Sequence, residues 1–98
     1  MTRRGAGRGK DGGGGAEHGV LHIRGERAEA AEAKIERFLD RLVYLGRGGG
    51  TIIHGKSGGV LKRLAHHLLR NDPRVSDKVA ARDETGRASA GAVTFTFL

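Results

Sequence analysis

The chain has 98 residues, with 18 Lys and Arg against 11 Asp and Glu and a formal charge of +7, a length that suits one domain and not two. It has no cysteine, which excludes disulfides, thiolate metal sites and cysteine nucleophiles together and points to a reducing, cytoplasmic setting. No apolar run reaches bilayer length and the N-terminus lacks the apolar stretch of a secretory signal, so a soluble protein with no membrane partner is expected. The basic excess draws polyanions and releases counterions from each phosphate it neutralises, which makes DNA or RNA the first partner to consider. Charge held for solubility alone is the competing account.

Residues 1–19 hold eight glycines, four basic residues and two acids, too little apolar surface to offset the entropy of ordering, so a flexible Gly/Arg-rich tail is predicted. Arg3, Arg4, Arg8 and Lys10 either skim a phosphate backbone or belong to a solvated linker. The folded part is predicted to span residues 20–98. Val20, Leu21, His22 and Ile23 form a short strand closed by Gly25, with Leu21 and Ile23 on one face and His22 and Arg24 on the other. From Glu26 the period changes: Ala28, Ala31, Ile35, Phe38, Leu39, Leu42 and Leu45 recur every three or four residues, which predicts a helix. Glu26, Glu29 and Glu32 lead and Arg37 and Arg41 trail, in keeping with the helix dipole. Gly46 ends it.

Thr51, Ile52, Ile53 and His54 read as a second, β-branched strand. A connection through a helix of about eighteen residues has the length of a right-handed βαβ crossover, so these strands should run parallel. Residues 55–59 are glycine-rich and open a second helix with the stripe Leu61, Leu64, Ala65 and Leu68, stopped by Asn71 and Pro73. Residues 74–81 read as a third strand, interrupted in character by Asp77 and Lys78, and residues 93–98 as a fourth with Val93, Phe95 and Phe97 on one face. A polar loop joins them. The expected fold is therefore an α/β (α+β) two-layer sandwich, β-α-β-α-β-β, with both helices on one face of a four-stranded mixed sheet. Ligands of open α/β sheets bind beyond the carboxyl ends of the parallel strands, where His22, Arg24, His54 and Lys56 fall.

The run from Gly50 to Lys56 and Ser57 fits the letters of a nucleoside-triphosphate P-loop. The residues between its glycines are Thr-Ile-Ile-His, which belong to a strand and not to a phosphate-wrapping loop, so no triphosphate is expected. The same residues fit a different geometry. Gly55, Gly58 and Gly59 let backbone N–H groups approach an anion, Ser57 lies among them, the helix N-terminus adds partial positive charge, and Lys56, Lys62 and Arg63 add full charges. A flexible turn with solvated lysines is the other reading of this stretch. His66 and His67, adjacent on a helix, are expected at the rim. Tyr44 is expected to pack partly into the core, with base stacking as its alternative.

The block from His54 to Lys62 resembles the HGKGTGxLR signature of Smr domains, small domains found at the C-terminus of MutS2 proteins and as free-standing chains. Leu21-His22-Ile23-Arg24-Gly25 stands where that family has LDxHG or LDLRG, Phe38-Leu39-Asp40 falls in the matching helix, and Gly91 to Phe95 resembles its closing GVTVV run. The resemblance covers residues 20–98. It implies a fold like the C-terminal domain of translation initiation factor three, and nicking of DNA or cleavage of RNA with little sequence preference. His22 replaces the acid of the first motif, Ser57 and Gly58 replace a Gly-Thr pair, and Lys62 replaces arginine; loss of the acid bears on cleavage more than on binding.

Two histidines, His54 and His22, are the candidates to divide proton transfer, with Lys56 and the amides of Gly58 and Gly59 stabilising phosphoryl charge. Arg24, Gly55, Ser57, Lys62 and Arg63 complete the expected phosphate-binding set. No cofactor is required by this route. A divalent metal would serve DNA hydrolysis, but Asp40, Asp77 and Asp83 lie on different elements and read as solvated acids. The expected function is a nicking endonuclease of low specificity. The alternatives are a phosphate-backbone-binding module that has lost the acid, and, from the fold resemblance alone, a ribosome-associated one. Met1 followed by a polar arm is expected of a free-standing chain.

Overall fold

The computed structural model describes residues 18–98, so the tail predicted for residues 1–19 lies almost wholly outside the described residues. The order is β1 (Val20–His22), α1 (Ala28–Tyr44), β2 (Gly49–Ile53), α2 (Val60–Asn71) and β3 (Ala92–Thr96). β1 and β2 run parallel, pairing Leu21 with Ile52, as the crossover length requires. β3 returns antiparallel on the other edge of β2, pairing Val93 with Ile52. Leu21, Ile52 and Val93 thus stand abreast on one face and are buried.

Both helices cover that face. Ile35, Phe38, Leu39 and Leu42 of α1 and Ala65 and Leu69 of α2 join Leu21, Ile23, Ile52, Val93 and Phe95 in a single core, with the rings of Phe38 and Phe95 edge-on at 6.2 Å. Gly50 lies beneath α1, where a Cβ would come within 3.0 Å of Leu42 Cδ1. α1 stops as its sequence demands: Gly46 adopts φ 75°, its N–H donates to Val43 O, and Arg47 N–H donates to Leu42 O. That pair of bonds is the Schellman stop, which favours glycine at the left-handed position. No helix among the described residues is long and apolar enough to cross a membrane.

The sheet has three strands among the described residues, not the expected four. Residues 74–81 do run beside β3 and the residue after it, but they pair there through two isolated bridges, Val75 to Phe97 and Ala80 to Thr94, and not through a continuous ladder. Five steps along the edge segment oppose three along β3, so Asp77 and Lys78 bulge out and break the ladder. The segment is held to α1 by Arg74, whose guanidinium donates to Asp72 at 2.8 Å and to Asp40 at 2.9 Å.

Candidate functional site

The carboxyl ends of β1 and β2 and the start of β3 meet at one edge of the sheet, and Gly91 ties them. Its carbonyl accepts from both His54 N–H and Gly55 N–H at 2.9 Å. A side chain at position 91 would press to 3.2 Å on Lys56 Cγ and 3.4 Å on the Gly55 carbonyl carbon. Gly55 itself has φ 86°, and a Cβ there would sit 3.0 Å from Arg24 Cγ. Two bare glycines therefore let the stems of Arg24 and Lys56 lie close against the backbone. The result is a groove of ≈ 360 Å³ lined by Arg24, Ile53, Gly55, Lys56, Ser57, Asp83, Ser89, Gly91 and Ala92.

From Lys56 the chain climbs to α2 through Gly58 at φ 75° and Gly59 at φ 82°. Gly59 occupies the N-cap, so α2 begins without a side-chain cap and without an acid in its first turn. Such an end keeps its positive partial charge uncompensated. Arg63 adds to it: its Nη1 lies 3.1 Å from where a Cβ of Gly59 would be. Lys62 is exposed. Of the expected phosphate-binding residues, Arg24, Gly55, Lys56 and Ser57 converge in the groove, while Gly58, Gly59, Lys62 and Arg63 continue around the amino end of α2.

The two histidines are not brought together. His22 pairs with Ile53 and is exposed on the sheet face away from the helices. His54 follows Ile53 and turns to the opposite face, where it is 3% exposed, so the pair cannot share proton transfer at one phosphate. His54 instead meets His66 of α2, ring centroids 6.3 Å apart, and Nε2 of each ring is enclosed without a hydrogen-bond partner. His66 was expected at the rim; its place against His54 was signalled by the alternation Gly50, Ile52, His54, which carries His54 inward. Burial, followed by Arg70, His54 and Lys62, holds the His66 pKa below its ordinary value.

Two other residues stand away from expectation. Tyr44 is 80% exposed with Arg41 over its ring at 5.6 Å, because it lies past the last inward position, Leu42, at the end of the sheet opposite the groove. Asp83 lines the groove. Its Oδ1 accepts from Thr85 Oγ1 at 2.6 Å, Thr85 N–H at 2.9 Å and Arg87 N–H at 3.1 Å, and the Thr85 hydroxyl first among these holds its carboxyl below the ordinary value. An anion is thus fixed on one wall of a basic groove, through a loop contact of a kind that sequence spacing does not reveal. Among the described residues no three imidazoles or carboxylates converge as a metal site would need.

The family model described as Smr domain matches residues 21–96. Endonuclease MutS2 of Halalkalibacterium halodurans is 40% identical over 80 residues, which is 79% of this chain and 10% of that protein. Endonuclease MutS2 of Solidesulfovibrio magneticus is 34% identical over 67 residues, 68% of this chain and 9% of that protein. The chain therefore spans about a tenth of the length of these curated relatives. In fold it matches the crystal structure of the Smr domain of Thermus thermophilus MutS2 with a TM-score of 0.71 at 24% identity, covering 81% of this chain and 96% of that one.

Proposed function

The chain belongs to the Smr domain family, and on that footing we infer that it grips nucleic-acid phosphates in the groove between Arg24 and Lys56, through the backbone and with little sequence choice. The observation that carries this reading is the seating of two cationic stems on Gly55 and Gly91, beside a helix start with no cap of its own. Phosphate oxygens meet two full charges and the positive end of α2 there, features that read the backbone and not a base edge. A salt series of oligonucleotide affinities tests it. The Lys56→Ala, Lys62→Ala double variant should bind more weakly and lose about 0.7–0.9 of logarithmic salt slope per phosphate contact removed. An unchanged affinity and slope would dismiss the groove.

Cleavage is the second reading, favoured by the endonuclease names of the relatives and by Asp83, an acid in the groove where the first motif carries His22. In this reading Lys56 and the loop amides stabilise phosphoryl charge, and His22, His54 and Asp83 are the residues to test for proton transfer. Supercoiled plasmid and end-labelled RNA, incubated with and without chelator, decide it. Nicks or fragments that vanish in Asp83→Asn assign cutting to this groove, and loss in His22→Ala assigns it to the open sheet face beside it. His54→Ala is read only alongside circular dichroism, because it also empties a buried site. Tight binding with no product in any condition leaves a binding module.

A further inference from the structure

Among the described residues, the buried side-chain nitrogens and oxygens that lack a hydrogen-bond partner are two, Nε2 of His54 and Nε2 of His66. They belong to the two elements that frame the groove loop. His54 follows β2 directly before Gly55, and His66 lies in the second turn of α2. Nδ1 of His54 stands 2.8 Å from Gly55 O. A carbonyl oxygen only accepts, so Nδ1 holds the proton and Nε2 of the neutral ring is a bare lone pair.

His66 is poorly placed to hold charge. The groups that act on it are Arg70 and Lys62 from its own helix and His54 from the sheet side. Arg70 and Lys62 are cations and no acid stands among these groups, so a proton on His66 meets like charge and loses hydration without gaining a counter-ion. The pair also has mechanical reach: His54 N–H and Gly55 N–H share Gly91 O, and Gly55 seats Arg24 while Gly91 seats Lys56. Displacing the His54 ring therefore pulls on the residues that shape the groove.

We propose that the contact of His66 with His54 makes the loop's hold on a polyanion pH-dependent, gripping while the His66 ring is neutral and releasing when it takes a proton. His66 is a positioning residue in this account, acting through His54 and touching no phosphate. The proposal rests on the phosphate-groove reading above and names how that site is regulated. It runs against the ordinary trend, in which acidification adds positive charge to a basic protein and strengthens its hold on a polyanion.

The test compares the full chain with His66→Gln, whose amide stays neutral across the range, in binding a fluorescein-labelled single-stranded oligonucleotide. Ionic strength is held constant from about pH 7.5 to about pH 5.5, the span of histidine titration. The parent chain should lose affinity on acidification, by up to about tenfold per pH unit for one linked proton. His66→Gln should match it at neutral pH and then hold or gain affinity. In proton NMR the His66 ring should titrate below 6.5, the ordinary value. Superimposable pH profiles with tight neutral binding in both proteins, or a His66 ring that titrates at its ordinary value, would overturn the switch and leave the groove standing. Absence of binding at every pH in both proteins would overturn the groove, and the switch with it. Should His66→Gln fail to fold, His66→Asn serves in its place with the same expected profile.

Discussion

Gly91 and Gly55 do more for the groove than the charged residues they carry, because cations are common on this surface and flat backbone beneath them is not. Replacing Gly91 with Val forces a Cβ to 3.2 Å from Lys56 Cγ and 3.4 Å from the Gly55 carbonyl carbon. We expect weaker oligonucleotide binding by fluorescence anisotropy and, because Gly91 is buried and ties the strand ends, a lower melting temperature in a thermal melt. Asp83 makes the opposite prediction. Its fixed negative charge repels a phosphate in the groove, so Asp83→Asn should tighten binding about two- to fivefold, the scale of one exposed charge interaction. Affinity that does not move would place the phosphate elsewhere. Lys56, Gly55 and Arg24 could be picked from the sequence because their types suit an anion. His54 could not be placed by type alone: its chemistry suggests a surface catalyst, and only strand alternation turns it inward beside His66.

At the scale of elements, the helices and the three strands were legible and the segment of residues 74–81 was not. α1 carries an uninterrupted three-four period and a glycine stop, and the structure runs from Ala28 to Tyr44 as that pattern implies. β1 and β2 are joined by a helix that dictates their parallel pairing. Residues 74–81 have strand-like composition, but a bulge depends on how two chains align, which no single stretch of sequence encodes. Backbone hydrogen bonds tie that segment to residues 94–98, and a side chain ties it to α1. Arg74 reaches Asp72 and Asp40 at once, and with its side chain 40% exposed solvent screens much of the attraction. Arg74→Ala should therefore cost only about 1 kcal/mol in urea unfolding. Leu69 is fully buried between α2 and the sheet, and Leu69→Ala should cost about 2–4 kcal/mol by the same measurement.

The molecule as a whole joins a compact apolar core to a basic exterior, and acid acts on both. The His66 pKa is lowered from 6.5 by burial, so the unfolded chain takes up a proton that the folded one resists. Its stabilising contribution is complete above about pH 6.5 and is lost as pH falls below that value. Asp72, lowered from 3.8 chiefly by its hydrogen bond to Arg74, contributes above its ordinary value and loses that contribution at more acid pH still. Urea midpoints should thus decline in two stages on acidification, the earlier one absent in His66→Gln. Net charge of +7 adds long-range attraction for any polyanion, which is why affinity alone does not locate a site. Location is what the account asserts. Amide shifts on titration with short single-stranded DNA and RNA measure it residue by residue: we predict the largest changes across residues 55–61, smaller ones at residues 22–25, and reversal by salt. Changes confined to residues 1–17 or to the Tyr44 end of α1, with the loop unmoved, would contradict it.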